Sequence, residues 1–151
     1  MKRARIQTCF STVLFSLLLL NFLAFAQAAD KPTDPLATIH ELEKVQKTNN
    51  ELSVKHFTGE IAKNPKNAMA YAQRGKAYSG LKDYDKALAD ENMAISLDPK
   101  LAESYIRRAV IYLVKKDYDA CWTDVHTAES LGGKFWPSFY DALKAGSKRE
   151  K

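Results

Sequence analysis

The stretch Ala68–Leu101, AMAYAQRGKAYSGLKDYDKALADENMAISLDPKL, decides the fold, because it lies on the following stretch, Ala102–Phe135, without a gap. Of the 34 aligned positions 13 are identical, where unrelated sequence gives roughly two, and self-similarity at a fixed period of this length marks a stacked repeat. The two copies pair Tyr71 with Tyr105, Gly75 with Ala109, Tyr78 with Tyr112, Tyr84 with Tyr118, Ala87 with Cys121 and Ala94 with Ala128. Small residues in these columns let two antiparallel helices approach closely, and the tyrosines fill the space between neighbouring units. The run KDYD, at Lys82–Asp85 and again at Lys116–Asp119, turns the chain and places acidic residues at the positive end of each second helix. Asp98-Pro99 ends one second helix and Gly132-Gly133 ends the other.

Working outward, IAKNPK (Ile61–Lys66) matches ISLDPK (Ile95–Lys100) one period later, so residues 34–67 read as a worn earlier copy. In that copy Leu36, Ile39, Leu42 and Val45 mark a first helix after Pro35, with Asp34 or Thr33 as its cap. Lys47–Asn50 reads as a turn, and Glu51–Lys63 as a second helix with Leu52, Phe57 and Ile61 inward. On the other side, residues 136–146 form a closing helix that starts near Pro137 and offers Phe139, Tyr140 and Leu143 to the open end of the stack. The aromatic cluster Phe135, Trp136, Phe139 and Tyr140 has a docking patch as its alternative reading. Residues 147–151 are a charged tail.

A thirty-four-residue helix-turn-helix with aromatic, glycine, aromatic, alanine and proline landmarks resembles the tetratricopeptide repeat (TPR) family. The resemblance covers 68–135 and, less distinctly, 34–67. It implies an all-α, right-handed solenoid of about three units plus a capping helix, whose first helices line a concave groove. It also implies a protein-binding module without cofactor or metal. On this pattern Gln73 and Lys76 of one unit lie beside Ile106, Arg107 and Val110 of the next. Such a surface suits a peptide or protein segment carrying an acidic residue. Of the carboxylate clamp used by cytosolic chaperone adaptors of the family, Arg107 is the one residue with a counterpart here. Self-association is a further option for the same surface.

Arg74 and Arg108 stand where the family more often has an apolar residue, and each is followed sixteen positions later by an aspartate, Asp90 and Asp124. That separation puts each pair on facing helices of one hairpin, which predicts an ion pair in each copy.

The start of the chain has a different character. Lys2, Arg3 and Arg5 precede an apolar run from Phe10 to Phe25, and Ala26-Gln27-Ala28 follows it. This three-part pattern reads as a signal peptide over 1–28, followed by a short leader over 29–35. Export to a periplasm is the expectation, with a membrane-tethered envelope subunit as the alternative if the signal is retained. Residues 1–28 hold three of the 23 basic residues and none of the 18 acidic ones, so the remainder carries 20 minus 18, or +2. That balance, with no clustered basic face, argues against nucleic acid. Catalysis has little to stand on. HELEK (His40–Lys44) lacks the second histidine of a zinc helix. Cys121 takes the column of a small packed alanine, and His126 falls on another face.

Overall fold

In a computed structural model, residues 35–148 are described. The signal-like stretch over 1–28, the leader up to residue 34 and the end of the charged tail lie outside them. Six α-helices follow one another among the described residues: α1 Pro35–Lys63, α2 Ala68–Gly80, α3 Tyr84–Leu97, α4 Ala102–Lys115, α5 Tyr118–Ser130 and α6 Pro137–Ser147. Residues up to Glu41 and residues from Leu42 onward form separate compact units. The described part of the first is the opening of α1, fully exposed. Everything that follows concerns the second.

The repeat boundaries are set by local chemistry. Asn67, Asp83 and Asp117 cap α2, α3 and α5, accepting from the backbone N–H groups of Ala70, Lys86 and Ala120. Each satisfies a donor that the first turn leaves open. Within each hairpin the turn passes through a left-handed lysine, Lys82 or Lys116, both at φ 62°. The next N–H then reaches back to close the preceding helix, Asp83 to Tyr78 and Asp117 to Tyr112. Gly132, at φ 84°, ends α5 in the same way, with Gly133 N–H donating to Ala128.

The helices of a hairpin touch because the facing residues are small. A Cβ added at Gly75 would stand 3.0 Å from Glu91 Oε1, 3.2 Å from Asp90 Cβ and 3.3 Å from the Ala87 carbonyl. Ala70, Ala72, Ala77, Ala87 and Ala94 are all buried around this contact. The larger core lies in the second hairpin and the cap, where Ala109, Cys121, Trp122, Val125, Phe139 and Leu143 form one cluster. Phe139 and Leu143 deliver α6 into it. Trp136, by contrast, is half exposed.

The expected turn at Lys47–Asn50 is absent, since α1 runs unbroken through it. The polar residues there bond within the helix instead: Thr48 Oγ1 donates to the Lys44 carbonyl, Ser53 Oγ to the Asn49 carbonyl and Gln46 to Asn50. With no glycine or proline present, asparagine and threonine cost such a helix only fractions of about 1 kcal/mol. Closing a hairpin would also require a small residue one period before Gly75, and that position is Glu41. The expected helical pair is therefore a single helix, Pro35–Lys63. The apolar residues of its first half stay exposed, as does Leu52, which lies five positions from Phe57 and cannot share its face. Val54, Phe57 and Ile61, spaced three and four apart, are the half-buried set.

These placements predict that Leu143→Ala lowers stability by about 2–5 kcal/mol. Trp136→Ala stays within about 0.5 kcal/mol of the parent, as an exposed position should. Chemical denaturation of both variants checks whether α6 is a cap.

Candidate functional site

Arg74 stands on α2 and reaches across its hairpin, where Nε donates to Asp90 Oδ2 at 2.8 Å and Nη2 to Oδ1 at 2.7 Å. Arg108 repeats this on α4, with Nε and Nη2 at 2.8 and 2.6 Å from Asp124. Each guanidinium also lies against two tyrosines of its own helix, Tyr71 and Tyr78 or Tyr105 and Tyr112, with ring centroids 5.5 to 6.0 Å away. A third helix joins through Nη1, which donates to Thr58 Oγ1 at 3.2 Å from Arg74 and to Asn92 Oδ1 at 2.6 Å from Arg108. Thr58 and Asn92 are one period apart, so each arginine reaches a polar side chain at the same repeat position of the preceding helix. The aspartates hold both arginines charged, raising their pKa against the opposing effect of burial.

The five groove residues do not share one open surface. Lys76 is exposed and has no ion-pair partner among the described residues, and Gln73 beside it is half-buried. Both face the polar side of α1, lining a cleft of about 240 Å³ with Asn49, Asn50, Ser53 and Phe57. Asn50 Nδ2 is buried there without a hydrogen-bond partner among the described residues. Ile106 and Val110 are instead committed to packing: the Ile106 Cδ1 atom lies where a Cβ on Gly133 would meet it, at 3.1 Å, and Val110 rests on the core beneath α6. The α4 face is used up because α4 has neighbours on both sides.

Arg107 departs furthest from expectation. Its Nε donates to Glu91 Oε1 at 2.7 Å and its Nη1 to Glu103 Oε1 at 2.9 Å. Glu91 is wholly buried, in the column that holds Val125 one period later. Burial pushes its carboxyl up to about 6, against the pull of the Arg107 charge and of the Ser104 hydroxyl, which comes near without closing a full hydrogen bond. Glu91 Oε2, Ser104 Oγ and Arg107 Nη2 are all buried without a hydrogen-bond partner among the described residues. A charged residue in a column otherwise apolar, sixteen positions before an arginine, was the signal for this cluster in the sequence.

Cys121 and His126 are held by other contacts. The Cys121 thiol donates to the Ala109 carbonyl at 3.2 Å, and burial together with Asp124 and Asp117 pushes it up to about 12. His126 stacks on Trp122 and leans toward Glu129. No group of three or more metal-ligating side chains occurs among the described residues.

Two stability measurements follow. Arg74→Leu strands a buried aspartate and costs about 3–5 kcal/mol, whereas Arg74→Leu with Asp90→Leu costs less than the single change, which a double-mutant cycle reads directly. Glu91 has a raised carboxyl, so its contribution is full below about pH 4.5 and is lost as pH rises through about 6. The loss is about 2 kcal/mol at 1.36 kcal/mol per unit. Denaturation midpoints at a series of pH values carry this drop in the parent, and Glu91→Gln lacks it.

Comparison with known proteins agrees with the architecture. No protein-family model matches the chain. A stretch of 48 residues, 32% of the chain, is 46% identical to the small glutamine-rich tetratricopeptide repeat-containing protein 2 of Saccharomyces cerevisiae, and covers 14% of that relative. Among solved structures, the TPR2B-domain:pHsp70 complex of yeast Sti1 superposes with a TM-score of 0.60 at 23% identity, over 73% of this chain and 97% of that one. The Arabidopsis OM64 TPR domain gives 0.58 at 24% identity, over 73% and 98%. The TPR2AB-domain:pHSP90 complex of yeast Sti1 gives 0.55 at 26% identity, over 90% of this chain and 52% of that one. The stack of paired helices is thus the tetratricopeptide-repeat fold.

Proposed function

We propose that this protein is a binding module, an exported adaptor that holds a segment of another protein in the cleft between α1 and α2. The observation that carries the reading is the lining of that cleft: side-chain amides of Gln73, Asn49 and Asn50 around about 240 Å³, with an unpaired Asn50 donor and the uncommitted charge of Lys76 at its edge. Amides of this kind pair with the peptide groups of an extended segment, and Lys76 selects an acidic side chain on it. The complexes of Sti1 with pHsp70 and pHSP90 support a binding role for the fold. Chaperone-tail capture is not the role proposed, because Arg107, the single clamp counterpart, is already engaged by Glu91 and Glu103.

The periplasm is the proposed location, on the strength of the basic, apolar and small-residue order of residues 1–28. No helix among the described residues is long and apolar enough to cross a membrane. A membrane-tethered subunit is the competing reading, and the N-terminal residue of the protein recovered from cell envelopes separates the two. No chemistry is proposed for the cleft, and neither Cys121 nor His126 lines it beside Gln73, Lys76 and their α1 neighbours.

A photocrosslinking residue at Lys76 in living cells gives discrete adducts with one partner, and the same residue at Trp136 gives few. Adducts at Trp136 with none at Lys76 move the binding surface to the cap.

A further inference from the structure

α1 carries an apolar seam that no described residue covers. Leu42, Val45 and Leu52 are 64%, 54% and 60% exposed. Together with Asn49 they follow one another at steps of three, four and three residues. This is the spacing by which one helix meets another in a coiled coil, and a single asparagine in such a seam fixes its register. The half-buried residues Val54, Phe57 and Ile61 lie on another face of the helix. Ion pairs within α1 join Lys47 to Glu51 and Lys63 to Glu60. Glu41 and Lys55, two heptads apart and on the same flank of the seam, are exposed and have no ion-pair partner among the described residues.

We infer that this seam takes the same seam of a second copy of the chain, with the two α1 helices antiparallel. Setting Leu42 of each copy against Leu52 of the other also sets Val45 against Asn49, and every layer then occurs twice. The same register brings Glu41 beside Lys55 of the second copy, again twice, so charges that are spare in one chain find their opposites in the other. Sliding one helix by a heptad in either direction loses both Leu42–Leu52 layers and both Glu41–Lys55 pairs. A parallel pair sets Glu41 opposite Gln46 and Lys55 opposite Glu60, which Lys63 already holds. Because α1 is a helix before it meets its partner, little ordering entropy opposes the contact. Asn49 also lines the cleft with Gln73 and Lys76, but the pairing does not depend on the binding role proposed above.

The test mixes two differently tagged forms of the full chain and reads how much of one is recovered with the other, from about 1 μM to 1 mM. The parent recovers itself. Glu41→Lys and Lys55→Glu change exposed positions and leave the fold intact. Each pairs with itself about tenfold more weakly than the parent, because like charges then meet twice. Mixed with one another, the two variants pair as the parent does. Leu52→Ser abolishes pairing and keeps the parent's unfolding midpoint at the dilute end of the series, since the side chain it replaces is exposed in a single copy. A parent that stays a single copy at every concentration overturns the proposal. So does undiminished pairing of Leu52→Ser, and a mixture of the two charge variants that pairs no better than either alone overturns the antiparallel register.

Discussion

The structure depends on two aspartates that are buried and charged. Asp90 and Asp124 are almost wholly removed from solvent, and each is held there by a two-pronged guanidinium from the facing helix. An unpaired carboxylate in that position would cost several kcal/mol. The pairing therefore fixes which helices face one another and in what register. The tyrosines on either side of each arginine and the hydrogen bond to Thr58 or Asn92 extend the constraint to a third helix. A contact that would otherwise be alanine on alanine, with little shape of its own, thereby becomes specific. Small residues supply the closeness and the ion pair supplies the register.

Much of this was legible in the residues because it repeats. A period of 34 brought Arg74 and Arg108, and Asp90 and Asp124, into common columns, and a sixteen-residue separation across one turn is short enough to reason about geometrically. What does not repeat was harder to see. Glu91 breaks its column, and its partner lies in the next unit, so neither copy read by itself contains the pair. Thr48, Asn49 and Asn50 suggest a turn because such residues are common there, although within the helix Thr48 bonds back to the Lys44 carbonyl and Asn50 Oδ1 accepts from Gln46. The landmark that mattered was the absence of a small residue at Glu41. The average geometry of such arrays, from which the groove follows, takes no account of Ile106 packing at Gly133 or of Val110 packing against the core that α6 enters.

The two hairpins divide their duties through this difference. The second has a hydrophobic interior of Cys121, Trp122, Val125, Phe139 and Leu143, with Tyr140 bonded to Glu129 and Trp122 to Ser147 across the joint with α6. The first has alanines, an ion pair and a strained acid. Polar interiors of this kind are specific but shallow in energy.

The unbroken α1 has one more consequence. No residue of α1 is buried, while α6 drives Phe139 and Leu143 into the core at the opposite end. A stack in which each unit is stabilised by its neighbours loses order from whichever end is held least. Breathing in this array therefore has a direction: amide hydrogens of α1 from Leu42 onward exchange first, those of α2 and α3 next, and those of α5 last. The cleft between α1 and α2 lies at this less firmly held end, so in the proposed role a bound segment would slow exchange through the first hairpin.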